Sequence, residues 1–524
     1  MFKIAFAIFV SAFFLIKPFT MQAAGEWYTN DDVDYFAHAS ALSFGQFPSY
    51  NREYLSQPEQ GPQVSIGAGI LAAPFVFVFS GIDRLEGSSI AERRTVKNVK
   101  ASWSQFGFMV STVFYFSLAC LLLYRILSSL VGPSAAVWAV ILMAICQGMP
   151  LFAFRRPIFS QVPEFFLQCL CVYLFLRNEK AEGQFIRRWW AFVLLGVVAA
   201  LVYLIRNNNV LFALAWPLFF VTTGLSWKDP GIMVRRLCAI FIPFTVLLMV
   251  FQLWPAVYAQ KTIYSNAFDY VRVHATWLEI LGRIVHVFIG VDWGLVFTAP
   301  FLLLGVLSLM FFKMPWKKRL VLFSLPVLVN FYIIVFFGTQ GGWYGYRYLI
   351  ASAFPVFVFP LAFAIKKLDD KGWGALKFAL VLLAVMPVVS MWFFEGRSTC
   401  LSLITQFFGR KDWGHATYQL CVWKALFNVN DLAYFAYKGG AQYFHYLYYL
   451  AGSSSGFSNS TDEFSLITRV LASYTPFKLK TVVQVIIVLA LPFMTVLMFQ
   501  YGPALLAFCR GHKKHPRQPQ ETLV

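Results

Sequence analysis

Charge is what this sequence has least of. Only 13% of its 524 residues are Asp, Glu, Lys or Arg, and acids are the rarer sign, 24 against 43 basic residues. That shortage excludes an ordinary soluble domain, in which about a quarter of the residues are charged. No metal-ligand spacing such as His-x-x-x-His occurs, no repeat period or low-complexity tract stands out, and no clustered basic face with a nucleic-acid module is found. The net charge of +19 therefore does not point to nucleic acid. Lys and Arg sit mostly in short loops between apolar runs, where they set orientation. Cysteine is also sparse, at eight residues. Cys120, Cys146, Cys169, Cys171 and Cys238 fall in apolar runs and read as packing residues. Cys400 and Cys421 share one hydrophilic segment, and they would pair as a disulfide if it faces an oxidising compartment.

What the chain does have is grease: 59% hydrophobic and 19% aromatic residues, in long apolar runs from end to end. This predicts an all-α polytopic membrane protein. About twelve transmembrane helices are expected, at Ile4–Thr20, Phe106–Tyr124, Ser134–Met149, Ile158–Leu176, Trp189–Ile205, Val210–Thr223, Leu237–Tyr258, Gly294–Phe312, Leu320–Phe337, Tyr348–Ile365, Phe378–Phe394 and Val482–Tyr501. The first reads as an uncleaved span, because Lys17-Pro18 interrupts the run and Gln22 suits a cleavage site poorly.

Ser65–Ile82 is long enough to cross, yet Gly67, Gly69, Pro74 and Gly81 weaken it as a helix. If it does not cross, the loops with Arg177, Lys180, Arg187 and Arg188, with Lys228, Arg235 and Arg236, with Lys313–Arg319 and with Lys366–Lys371 are all cytosolic. If it crosses, all face outward, against the positive-inside bias. Only Arg84, Arg93, Arg94, Lys97 and Lys100 vote the other way. Ser65–Ile82 is therefore expected to lie at the interface or to re-enter, covered by protein. Three regions follow: 1–394, a membrane region with an outer loop at 25–105; 395–480, an outward aromatic-rich segment; and 481–524, a last span with a basic cytosolic tail.

The outer loop opens with "NDDVDYFAHASALSFG". Asn30 suits an N-cap, Val33, Phe36, Ala37, Ser40, Ala41 and Phe44 keep helical spacing, and Gly45 is a natural stop. A helix of about fourteen residues along the outer surface is expected. Asp31, Asp34, Tyr35 and His38 share one stripe, and Asp32 points to the side. First-turn acids can merely offset the helix dipole. One or two suffice for that, and excess charge beside a bilayer is costly, so an acid–base or metal centre is the alternative.

Arg155, Arg156, Arg206 and Arg347 stand at outward ends of spans, against the orientation bias. Each alone can snorkel; together they suit a phosphate or diphosphate, whose oxygens match guanidinium forks. Glu164 is an intramembrane acid near an outward helix end and a functional candidate by default.

These stretches resemble a family. "DDVDY" is similar to the Asp-Glu-x-x-Tyr start of the first outer helix of GT-C-fold glycosyltransferases, a group that includes protein O-mannosyltransferases and lipid A aminoarabinose transferases; Asp32 stands for the usual Glu. "SIGAGILAAPFVF" resembles the juxtamembrane helix that follows. "GGWYGYRYLI", with Tyr346 and Arg347, resembles the Trp-Gly…Gly-x-Arg-Tyr stretch of many bacterial members. The likeness in layout covers roughly Ile4–Ile365. The lysine-proline-proline stretch of the aminoarabinose enzymes is missing, with "QGPQVSIG" in its place, and 395–480 matches no accessory domain of the group.

The resemblance implies a GT-C-like fold with outward juxtamembrane helices and an inverting transfer from a polyprenyl-phosphate-linked sugar to a lipid, glycan or protein acceptor among membrane lipids. It implies Asp31 as the base and Asp32 as the second acid. Asp34, Tyr35, His38, Arg155, Arg156, Glu164, Arg206, Tyr346 and Arg347 would contact substrate. The cofactor is unknown, with a divalent cation left open. A carrier or flippase for a lipid-linked sugar would use the same arginines without Asp31. A surface-polysaccharide polymerase or ligase would lean on His415 and His445 of the large outer segment.

Overall fold

The computed structural model describes residues 1–16, 31–50, 62, 64–87, 102–180, 189–222, 230–254, 276–290, 294–311, 320, 323–337, 346–392 and 477–509. Lys17–Asn30, His415, His445 and both Cys400 and Cys421 lie outside them, as does nearly all of 395–480. Among the described residues every regular element is helical: the chain is an all-α, multi-pass membrane protein.

The elements are α1 (Phe2–Leu15), α2 (Asp31–Ser43), α3 (Gly67–Leu85), α4 (Trp103–Val131), α5 (Pro133–Val140), α6 (Gln161–Lys180), α7 (Trp189–Ile205) and α8 (Val210–Thr222). Then come α9 (Pro230–Leu248), α10 (Trp277–Ile289), α11 (Leu295–Thr298), α12 (Pro300–Phe311), α13 (Leu325–Phe337), α14 (Arg347–Asp370), α15 (Gly374–Trp392) and α16 (Phe477–Cys509). Of the six candidate spans, α4 and α14 are the best covered, and they form the centre. Around them pack α6, α5 and α12, with α1 and α16 against α4.

Among the described residues six helices are long and apolar enough to cross a bilayer, and α3 is one of them. The twelve expected spans thus do not all appear as full-length helices. The run Ser134–Met149 is α5 plus a π turn at Ile141–Ile145, and a second π turn at Leu151–Arg155 precedes α6. Gly294–Phe312 is split at Ala299, just before Pro300. An apolar run reports burial in lipid or core; it does not report where the hydrogen-bond ladder breaks.

Ring and backbone contacts fix which ends lie together. Gln500 of α16 reaches the Met1 sulfur, and Arg125 covers the Phe499 ring, which places Met1, the end of α4 and that part of α16 at one end of the bundle. Leu15, Arg155, Glu164, Arg206 and Arg347 gather at the opposite end. There α3 begins beside Ile205, where a Cβ on Gly67 would meet backbone, and it ends at the first turn of α4.

α3 does not lie flat across its neighbour. It runs antiparallel to α4: the Tyr115 hydroxyl donates to the Leu71 carbonyl at 3.2 Å, Phe75 meets Phe114, and Phe79 stacks on Trp103. One side is covered by protein while Phe77 and Val78 stay exposed. Asp83, a buried acid that the sequence pattern did not single out, ties the end of α3 to α4. Its carboxylate accepts from Trp103 N and Ser104 N, both at 2.8 Å, and from Ser104 Oγ at 2.5 Å. A carboxylate on a helix N-terminus satisfies orphan N–H groups and the dipole together. Asp83→Ala is expected to cost about 1–3 kcal/mol, read as a lower unfolding temperature in detergent. A melting curve like that of the parent would show that the cap is dispensable.

α2 ends where glycine allows it. Gly45 has φ +68°, and Gln46 N donates to the Ala41 carbonyl at 2.8 Å. Protein covers this helix closely. Val33, Tyr35, Phe36, Ala37, Ala39 and Ala41 are all buried, as are Asp32 and Asp34, because α3 packs along it. Contact is closest at Gly69, where a Cβ would stand 2.5 Å from the His38 Cβ. Gly69→Ala should therefore wedge α2 off α3, an overpacking cost of about 1–3 kcal/mol. Gly81, with nothing within 4 Å of a Cβ, is the control. Equal melting of Gly69→Ala and Gly81→Ala would refute the close approach.

Candidate active site

Every polar group of the site comes from a helix end or a break on the same side of the bundle. α2 supplies Tyr35, the bend before α6 supplies Phe159 and Ser160, α6 supplies Glu164 and Gln168, the end of α7 supplies Arg206, and the start of α14 supplies Arg347 and Tyr348. Backbone irregularity gathers here too: π turns precede the bend, and a 3-10 turn at Asn207–Asn209 follows Arg206. Such breaks re-aim side chains that a straight helix would point elsewhere.

Ser160 is the junction. The Tyr35 hydroxyl donates to its Oγ at 2.9 Å, and an Arg206 amino group donates to the same oxygen at 3.1 Å. The other Arg206 amino group pairs with Glu164 at 2.7 Å. Glu164 also accepts from Asn209 at 3.1 Å and from Gln168 at 3.4 Å. The acid is almost fully covered, at 1% side-chain exposure, so the pair is strong only because these extra donors satisfy it.

Two arginines share one aromatic ring. Arg206 lies 4.2 Å from the Tyr348 centroid and Arg347 lies 5.1 Å from it on its own contact. Arg347 also stacks on Phe159 at 5.1 Å and donates to the Tyr348 hydroxyl at 3.3 Å. Phe159 in turn meets Tyr35 edge-on. Asn330 of α13 holds the Tyr348 carbonyl at 3.2 Å. Arg206 pairs with Glu164, and Arg347 stands at the first position of α14.

Before Arg347 stands Tyr346, the one non-glycine residue with positive φ among the described residues, at φ 37° and ψ 57°. That conformation costs an ordinary residue about 1–2 kcal/mol. Its buried hydroxyl pairs with Nδ1 of His286 on α10.

The remaining expected residues are placed as follows. Asp31 opens α2, and only its backbone is described. Asp32 and Asp34 are buried, at 4% and 1% exposure. His38 is turned to the protein: Nδ1 meets the Tyr50 hydroxyl at 2.8 Å and Nε2 the Val64 carbonyl at 2.9 Å. Burial lowers its pKa to about 4, against a smaller upward pull from the Val64 carbonyl, so the ring is neutral at pH 7. Arg155 reaches the Leu15 carbonyl at the end of α1, at 3.4 Å, and Arg156 is half-buried nearby. Of the four arginines, Arg206 and Arg347 thus share Tyr348, while Arg155 tends the end of α1.

Phe159, Ser160, Asn209, Asn330 and Tyr348 escaped the sequence reading. None carries charge. The signals available were Tyr348 next to Arg347 and the "NNN" after Arg206. Among the described residues no three His, Cys, Asp or Glu gather closely enough to hold a metal ion.

No family model matches the chain, and no curated protein matches it in sequence. Among solved structures it is similar to the Archaeoglobus fulgidus oligosaccharyltransferase in its apo form, with a TM-score of 0.42 and 14% identity, over 80% of this chain and 55% of that one. The chain thus spans about half the length of that protein. So distant a likeness says nothing about chemistry, which rests on the residues above.

Proposed function

We propose that the chain is an inverting glycosyltransferase of the cytoplasmic membrane. It moves a sugar from a polyprenyl-phosphate donor to a hydroxyl on a lipid, glycan or protein at the outer face. The observation that carries this reading is the Tyr35–Ser160–Arg206 link, which joins the acidic helix to the arginine pair although they are far apart in sequence. Acid–base groups and phosphate-binding cations at one spot are what transfer from a phosphate ester needs.

In this mechanism the donor phosphate lies against Arg347 and the start of α14. Arg206, held by Glu164, keeps Tyr348 and Ser160 in place. Asp31 removes the proton from the acceptor hydroxyl. That oxygen forms a bond to the anomeric carbon from the face opposite the phosphate, the carbon–phosphate oxygen bond breaks, and the electron pair leaves on polyprenyl phosphate, where Arg347 stabilises it. The end of the bundle opposite the site carries Arg177, Arg235, Arg236, Lys366, Lys367 and Lys371, which supports an outward-facing site by the positive-inside bias.

The test is mass spectrometry of membrane glycolipids and surface glycans with and without the gene. Loss of one sugar from a surface glycan, with accumulation of its polyprenyl-phosphate donor on the outer leaflet, is the expected result. Donor trapped on the inner leaflet would mark a carrier instead, and an unchanged glycan profile would refute the reading.

A further inference from the structure

We propose that His286 is a positioning residue, which holds Tyr346 in its left-handed turn and so aims Arg347 at the donor phosphate. This rests on the reading of Arg347 as the phosphate contact.

A left-handed non-glycine residue persists only where its surroundings over-determine it. Tyr346 is so fixed on both its main chain and its side chain. Its carbonyl accepts from Leu349 N at 2.8 Å, which closes the first turn of α14. Its ring stands edge-on to the His286 ring, with centroids 6.2 Å apart, and its hydroxyl meets Nδ1. The hydroxyl contact can decide the conformation only if the helix that carries His286 is anchored elsewhere, and it is. α10 begins with a reciprocal cap between Thr276 and Glu279, in which Glu279 Oε2 accepts from Thr276 N at 2.7 Å. Arg283, one turn before His286, donates to the carbonyls of Val335 and Phe336 at the end of α13, at 3.1 and 2.9 Å. The His286 carbonyl accepts from Gly290 N at 2.9 Å, where a Cβ at Gly290 would collide with it. A histidine on an anchored helix thus meets a strained residue, and the next residue along the chain is the arginine stacked on Phe159 and Tyr348. Were Tyr346 to relax to negative φ, the start of α14 would rotate, and the guanidinium would leave that aromatic seat.

A histidine that merely fills space would not care which backbone conformation residue 346 prefers, and this supplies the test. The purified full chain in nanodiscs is titrated with polyprenyl phosphate, the donor without its sugar, and melting is followed in parallel. His286→Phe and Tyr346→Phe should each weaken binding about tenfold, and together no further. Glycine and asparagine adopt positive φ readily. In the His286→Phe background, Tyr346→Gly or Tyr346→Asn should therefore restore binding to within about threefold of the parent, even though each loses packing and melts lower. If His286→Phe does not fold, His286→Asn takes its place. Parent-like binding by the His286 variant, or failure of both left-handed replacements to rescue, overturns the proposal. Arg347→Ala separates the two claims: parent-like binding there refutes the phosphate contact itself, whereas lost binding there with an indifferent His286 variant refutes only the positioning role.

Discussion

Asp31→Asn is expected to lower glycosyl transfer by about 10²–10⁴-fold, the usual worth of a general base, while donor binding stays near the parent level. Asparagine keeps the shape and the place at the start of α2, and it loses only the ability to accept the acceptor's proton. The helix itself should survive, because its packing comes from Val33, Phe36, Ala37 and Ala39, and its anchor is Tyr35 on Ser160. Asp32→Asn should cost less, since that acid has no bond to make or break in the reaction. The measurement is single-turnover release of polyprenyl phosphate in proteoliposomes, with donor affinity titrated alongside. Full transfer by Asp31→Asn would remove Asp31 from the mechanism, and a loss confined to affinity would make it a binding residue.

The second large effect concerns Glu164 and Arg206. Removing one member of a buried ion pair leaves the other charge without its partner, at a cost of about 3–5 kcal/mol. Glu164→Leu should accordingly give little folded protein and a much lower melting temperature. Replacing both by apolar residues of similar size is often neutral, so Glu164→Met with Arg206→Met should melt close to the parent. Transfer should not return with stability, because Ser160 and the Tyr348 ring both lose the guanidinium that orders them. A stable and fully active double variant would take Arg206 out of the site. A double variant as unstable as Glu164→Leu would mean that the network supports the fold by more than charge pairing.

Much of this arrangement was legible in the residues, and its limits have physical causes. The bounds of α2 follow from period and from Gly45, since both are local properties of the chain. Its burial does not follow, because what covers Asp32 and Asp34 comes from α3 and beyond. Arg206, Arg347 and Glu164 stand out in the sequence because each is rare beside a bilayer: cations at span ends expected to face outward, and an acid within an apolar run. Nothing in a spacing of forty-two residues says that Glu164 and Arg206 are partners. Ser160 was invisible for a further reason, since a serine in an apolar run is commonplace and its role exists only once two distant donors reach it. Asp83 was missed in the same way. It caps a helix that begins twenty residues later.

By itself the sequence determined the solvent and the class of fold. Those depend on composition and on the length of apolar runs, to which each residue contributes independently. Only the tertiary structure decided which polar groups meet, how α3 packs, and which arginine pairs with Glu164. Those depend on pairs of residues far apart in the chain, brought together by helix breaks that apolar runs conceal.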